Sequence, residues 1–204
     1  MTRRLSLDET ADALRHGRVV AVPTDTVYGV AAGVWSLVGV AGLFALKRRP
    51  RDVALPVLIA GTNDLAELDV VLDERAQRLA NRLWPGALTL VVPAPPALAL
   101  AIGATNESVG LRVPNDEVLL ALLREVGPLV VTSANDHGEA PCTSADEVME
   151  AFAQREGWAG VYDDGPRDGV VSTVVDLTGP QWRVLRRGAL DEASIADALA
   201  EGSS

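Results

Sequence analysis

The sequence predicts an α/β fold: a single-domain twisted mixed sheet with flanking helices. Three observations carry this expectation. Short aliphatic and β-branched runs interleave with segments of helical periodicity along the chain. The intervals between those runs are irregular, and two strand pairs near the C-terminus read as hairpins, so parallel and antiparallel pairing should be mixed. At 204 residues and 48% apolar composition, the chain holds enough material for one sizeable core.

Taken in order, Ser6 and Glu9 form a capping box and Gly17 a stop, which predicts a helix from Leu7 to His16. A buried strand follows at Arg18 to Val22, and the polar segment after it sits at a strand end, where α/β proteins commonly hold ligands. Leu37, Val40, Ala41 and Phe44 repeat at helical spacing, which places Lys47 at the helix end, outside the core, and Arg49 just beyond it before Pro50. Leu55 to Ala60 reads as a strand, and Asp73 to Leu83 as a helix with Ala76, Leu79, Ala80 and Leu83 on one face. Trp84-Pro85-Gly86 is a turn feeding a strand at Ala87 to Val92. The prolines at 93, 95 and 96 then predict an irregular loop. Val109 to Val113 is a strand, Asn115 caps a helix through Arg124, and Leu129 to Thr132 is a strand that opens into Ser133-Ala134-Asn135. Ser144 with Glu147 makes a second capping box for a helix containing Val148 and Phe152. Strands near Val161, at Val171 to Leu177 and at Trp182 to Leu185 precede a last helix from Asp191 to Leu199.

Composition prunes the function classes. A formal net charge of -10 argues against a broad polyanion-binding face and leaves room for a local basic cleft. Cys142 is the only cysteine, so an intrachain disulfide and a cysteine-rich metal site are excluded, in keeping with a reducing, cytoplasmic setting. The first ten residues turn acidic before any apolar run, and the most apolar stretch is broken by prolines, so neither a secretory signal nor a membrane span is expected. Neither a GxxxxGK[ST] loop nor a GxGxxG turn is present. His16 and His137 are the only histidines and lack metal-ligand spacing, so no protein-held metal is expected.

Several segments can carry chemistry. Lys47, Arg48 and Arg49 form a cationic knot in an acidic chain; it suits an anionic ligand, and equally suits a solvated helix C-terminus. Thr24, Asp25, Thr26 and Tyr28 crowd hydrogen-bonding groups after a buried strand, where an ordinary polar turn is the structural alternative. Arg112 offers a guanidinium fork for a substrate carboxylate, or an edge-strand surface charge. Ser133 and Asn135 can cap a turn or face a ligand. Trp84 reads as a turn anchor.

PTDTVYG at Pro23 to Gly29, KRRP at Lys47 to Pro50, WPGALTLVVPA at Trp84 to Ala94, VGLRVP at Val109 to Pro114, TSAN at Thr132 to Asn135, and STVVDLTG with VLRRGA within Ser172 to Ala189 occur in one order. In this the chain resembles the YrdC-like family of threonylcarbamoyl-adenylate synthases, from about residue 10 to residue 190. The resemblance implies one YrdC-like domain over residues 1–204 with a large concave ligand cleft and without the extra C-terminal domain of longer relatives. It implies that L-threonine, bicarbonate and ATP are joined to L-threonylcarbamoyl-adenylate and pyrophosphate, with Mg2+ accompanying the leaving group. By the same resemblance Lys47 and Arg49 contact the ATP phosphates and carry the catalytic charge, Asn135, Thr143 and Arg186 serve the nucleotide, and Thr24, Tyr28, Ser133 and Ser172, with Arg112, serve threonine. The unstable product would pass to a tRNA threonylcarbamoyl transferase complex, and direct tRNA binding should be weak at most. Two departures fall near the nucleotide: His137, where the family often has Ser, and Asp168-Gly169-Val170-Val171, where it often has Gly-Gly-x-Pro. The rival readings are an RNA-binding YrdC-like module, which needs a broad basic face, and carbamoyl-adenylate chemistry with a non-threonine acceptor, which comes in longer, cysteine-rich chains.

Overall fold

A computed structural model of the chain describes residues 3–50, 53–136 and 138–200. Arg51, just past the basic knot, and His137 lie outside the described residues.

The strands are β1 (Arg4–Leu5), β2 (Val19–Pro23), β3 (Tyr28–Gly33), β4 (Val57–Leu58), β5 (Leu88–Pro93), β6 (Ser108–Arg112), β7 (Leu129–Ser133), β8 (Trp158–Tyr162), β9 (Thr173–Asp176) and β10 (Arg183–Arg186). They form one mixed sheet in the order β1-β8-β2-β3-β7-β4-β6-β5-β9-β10. The helices are α1 (Leu7–Arg15), α2 (Leu37–Lys47), α3 (Glu74–Leu83), α4 (Pro96–Ile102), α5 (Glu117–Val126), α6 (Ala145–Ala151) and α7 (Glu192–Ala200).

Strand side chains alternate between two packed layers. Val19 and Ala21 of β2 enter one apolar cluster, with residues from α2, α3, α4, α6 and α7. Val20 and Val22 enter the other, with Ala11 and Leu14 of α1 and Leu119 and Leu122 of α5. Because both faces are covered there, the central strands read as continuous apolar runs. On the second face α1 and α5 stop short. Leu58 and Val131 are the last side chains of that cluster on their strands, and from β4 across β6 and β5 to β9 this face is where the ligand-sized cavity opens.

Several expectations need correcting. The YGVAAG segment, for which no strand was expected, is β3, pairing antiparallel with β2 through Pro23 and Tyr28, so the PTDTVYG motif at the strand end is a hairpin turn. Its signal was hidden because Gly29, Ala31 and Ala32 are small residues buried on both sides. The stretch after β5 is a helix, not a loop: Pro95 caps it and Pro96 starts it, where a missing N–H costs nothing, and Gly103 ends it in the left-handed region. Helix α5 is capped by the Asp116 carboxylate, not by Asn115. At α6 the Ser144 hydroxyl accepts from the Glu147 amide, but the Glu147 carboxylate reaches the Thr143 amide at 2.6 Å, so the second capping box is half formed. The first box is complete. Of the C-terminal pairs only β9 with β10 is a hairpin; β8 pairs parallel with β1 and β2. Among the described residues no helix is long and apolar enough to cross a membrane.

Candidate active site

The uncovered strip of sheet carries a cavity of about 500 Å³. Its floor is the outward row of β6, β5 and β9: Ser108, Gly110 and Arg112, then Thr89 and Val91, then Val174 with Ser172 just before its strand. One wall is the hairpin turn with Thr24 and Thr26; another is Arg49 and the segment Val53 to Pro56; Thr132 and Ser133 of β7 and Arg186 with Leu185 of β10 complete it.

Arg112 sits in the middle of the sheet, between β4 and β5, and is 6% exposed. It is therefore not an edge-strand charge. Its Nε donates to the Gly86 carbonyl, one terminal nitrogen to Thr26 Oγ1 at 3.2 Å and the other to Asp25 Oδ1 at 2.6 Å. Among the described residues, one N–H on each terminal nitrogen has no partner, leaving it available to a ligand. Thr26 Oγ1 in turn meets Thr24 Oγ1, which donates to the Val27 carbonyl and accepts the Thr26 and Val27 amides. The Thr24 hydroxyl is thus engaged in holding the turn.

Lys47 ends α2 as expected, but its ammonium is buried, with 1% of the residue exposed. It is in the core. Nζ donates to the Ser133 carbonyl and, at 3.1 Å, to Asn135 Oδ1, which also accepts from the Ser133 hydroxyl. Burial, then the nearby Arg49 charge, lowers its pKa from 10.5 to about 8. Lys47 is also the sole lysine among 18 cationic Lys and Arg residues, a compositional signal that reading motifs alone passes over. Arg49 spends Nε on the Val53 carbonyl and one terminal nitrogen on the Ala54 carbonyl. Arg186 donates to the Ser172 carbonyl and hydroxyl, and the Ser172 hydroxyl meets Thr89 Oγ1 at 3.0 Å.

The described hydrogen bonds of Lys47, Arg49 and Arg186 all go to carbonyl, amide or hydroxyl oxygens and none to a carboxylate. Like charges are also set together: Arg49 opposes Lys47, and Arg112 opposes Arg186. Such an arrangement stores repulsion that an anionic ligand relieves. In a chain of net charge -10, this gathers cations around one cavity, of which Arg112 is paired with Asp25 and Lys47 feels the Asp136 charge.

The structure therefore brings Thr24, Arg49, Arg112, Ser133, Ser172 and Arg186 onto the cavity wall, with Lys47 and Asn135 directly behind Ser133. Two residues stand apart. Tyr28 is fully buried, and its hydroxyl donates to the Gly165 carbonyl. Thr143 donates to the Glu147 carboxylate. Sequence reasoning placed Asp25 in the polar turn without pairing it to Arg112, and gave no role to Thr89, Ser108 or Arg167. The last holds the hairpin turn from outside, its Nε bonding the Thr24 carbonyl at 2.6 Å while a terminal nitrogen pairs with Asp116.

The family model Sua5_yciO_yrdC, described as telomere recombination, matches residues 12–188. A Mycobacterium tuberculosis protein, provisionally named a threonylcarbamoyl-AMP synthase, is 40% identical over 189 residues, covering 92% of this chain and 86% of its own length. The Bacillus subtilis threonylcarbamoyl-AMP synthase is 38% identical over 190 residues, and there the chain spans 54% of the relative. The crystal structure of Pyrococcus abyssi Sua5 complexed with L-threonine superposes with a TM-score of 0.88 at 35% identity, over 98% of this chain and 60% of that one.

Proposed function

The chain belongs to the Sua5/YciO/YrdC family, and on that premise we propose that it is an L-threonylcarbamoyl-AMP synthase. The reaction joins L-threonine, bicarbonate and ATP and supplies the first intermediate of threonylcarbamoyladenosine formation in tRNA. The observation that carries the proposal in this structure is a cavity of about 500 Å³ ringed by Arg49 and Arg186, with Lys47 behind its wall, none of them bonded to a carboxylate.

In the proposed sequence the threonine amine and bicarbonate give a carbamate with loss of water. A carbamate oxygen then forms a bond to the α-phosphorus of ATP as the bond to the β-phosphate bridging oxygen breaks, and pyrophosphate leaves. Lys47, Arg49 and Arg186 neutralise the triphosphate and the charge that grows on pyrophosphate, so the chain contributes chiefly preorganised charge and position. Asn135 and Thr143 flank the nucleotide. The two free N–H groups of Arg112 suit the threonine carboxylate in a bidentate pair, with Ser133, Ser172, Thr24 and the buried Tyr28 shaping the surrounding pocket. The described cavity wall offers hydroxyls, amides and guanidinium groups and no carboxylate, a donor set that fits phosphate oxygens. Mg2+ would accordingly arrive on the triphosphate, held by phosphate and water oxygens. A cytoplasmic setting and hand-over to a tRNA-modifying transferase complete the proposal, and the ten-stranded sheet spanning residues 4 to 186 supports treating the chain as one YrdC-like unit.

Mass spectrometry of the product formed from ATP, bicarbonate and each amino acid in turn tests this reading. The expected result is a carbamoyl-adenylate with threonine that requires all three substrates. No adduct, or equal yield with alanine, would overturn it.

A further inference from the structure

We propose that Arg155 is a positioning residue for the nucleotide site: it clamps together the two segments that present Lys47 and Asn135. The proposal rests on the synthase reading above. Arg155 follows α6 and is absent from the cavity wall. One terminal nitrogen donates to the Leu46 carbonyl, and the other to Asp136 Oδ2 at 2.5 Å. Leu46 is the residue before Lys47, and Asp136 is the residue after Asn135. A single guanidinium thus ties the last turn of α2 to the loop leaving β7, on the flanks of the two side chains that meet each other at 3.1 Å.

The clamp is itself rigidly seated. Arg155 has a side chain only 15% exposed, with its guanidinium carbon 5.4 Å from the centre of the Phe152 ring. Phe152 is fully buried and stands edge-on to Trp158 at 5.6 Å. At the same time Arg155 satisfies a helix-terminal carbonyl that α2 leaves without an intrahelical partner. Electrostatics point the same way. The bond from Arg155, ahead of the charges of Arg48 and Lys47, keeps the Asp136 carboxyl below its usual range, and the carboxylate so held favours the charged form of Lys47 against burial and against Arg49. Asp136 Oδ1 is buried and makes no hydrogen bond among the described residues, so Arg155 is what fixes this carboxylate. Without the clamp, the described hydrogen bonds between the end of α2 and the loop would be those of Lys47 alone, and the ammonium would have to hold its own scaffold as well as the phosphates.

The test compares wild type, Arg155→Met, which keeps the stem packed on Phe152, Arg155→Lys, Asp136→Asn and the double variant Arg155→Met with Asp136→Asn. KM for ATP and for threonine are measured separately by adenylate formation, the ATP Kd by calorimetry, and folding by thermal melts. Arg155→Met should raise the ATP KM and Kd about tenfold, the worth of one charge-assisted hydrogen bond, with the threonine KM within about twofold of wild type. Arg155→Lys should recover part of that loss, and Asp136→Asn should add little to Arg155→Met, since both break the same link. Unchanged ATP affinity in Arg155→Met overturns the clamp, as does an equal rise in both KM values or a loss matched by unfolded protein in the melts. Failure of wild type to form adenylate would instead sink the synthase reading, and the calorimetric ATP affinities would still decide the role of Arg155.

Discussion

Replacing Lys47 by methionine separates charge from packing at the buried end of α2. A lysine whose folded pKa lies below its unfolded value burdens the folded state as long as it is protonated. With the value lowered from 10.5 to about 8, that burden is about 3 kcal/mol at pH 7. Methionine fills a similar volume without charge, but it withdraws the donors from the Ser133 carbonyl and Asn135 Oδ1, about 1–2 kcal/mol each. The two effects oppose, so Lys47→Met should unfold within about 2 kcal/mol of wild type at pH 7. Adenylate formation should nonetheless fall by orders of magnitude, because a cation beside the triphosphate is gone. The pH dependence gives an independent check. Between about pH 8 and 10.5 the unfolded chain holds the proton that folded Lys47 has released, so this group makes wild type gain about 2 kcal/mol from pH 7 to pH 9.5. Urea titrations of both proteins at those two pH values isolate the gain, since other titrating groups cancel in the difference. Full adenylate synthesis by Lys47→Met, or a loss that merely follows unfolding, refutes the reasoning. So does a variant whose stability rises with pH as wild type does.

Three further outcomes are expected. Arg112→Lys should lower stability by about 3–5 kcal/mol in thermal or urea unfolding, because a single ammonium cannot serve Asp25, Thr26 and the Gly86 carbonyl together and the carboxylate is left poorly paired. Gly188→Ala would set a Cβ 2.4 Å from backbone atoms of Val171 and Ser172; it should cost about 1–3 kcal/mol and weaken ATP binding by displacing the Ser172 contact to Arg186, measurable by melts and calorimetry. Serine should be a poor but real substrate, since a methyl is worth about 1–3 kcal/mol in kcat/KM, whereas alanine should give no detectable adduct by mass spectrometry.

The sequence made most of the architecture legible where a local rule decides the matter. Ser6 and Glu9 set α1 through a cap that needs no tertiary context, and the apolar face of Ala76, Leu79 and Ala80 marks α3. It failed at β3, where packing against two layers selects small residues and erases the alternation that marks a strand, and at α4, where Pro95-Pro96 signals a break or a helix start equally well. The site followed the same division. Motifs located the residues that surround the cavity, because each lies at the end of an element. What they could not give was the partner of each group: that Asp25 occupies part of Arg112, that the Thr24 hydroxyl is consumed by its own turn, or that Lys47 lies inside the fold. The first and last depend on contacts between residues more than 80 positions apart, Arg112 with Asp25 and Lys47 with Asn135, which no window along the chain contains; the Thr24 contact is local but follows from a hairpin that the sequence reading missed.

The solitary lysine gives the molecule an unusual chemical address. Apart from the terminal amine, Lys47 is the only primary amine the sequence offers, and it is enclosed beside the cavity with its pKa lowered to about 8. An amine-selective acylating reagent therefore has one side-chain target, buried beside the cavity and reactive in its neutral fraction at mildly alkaline pH. On the proposed function, nucleotide held against the ammonium would shield it and keep it protonated, so the extent of its modification would read out occupancy. The proposed product is itself a mixed anhydride, an electrophile toward amines. An all-arginine exterior gives that electrophile no lysine on the protein's own surface to attack.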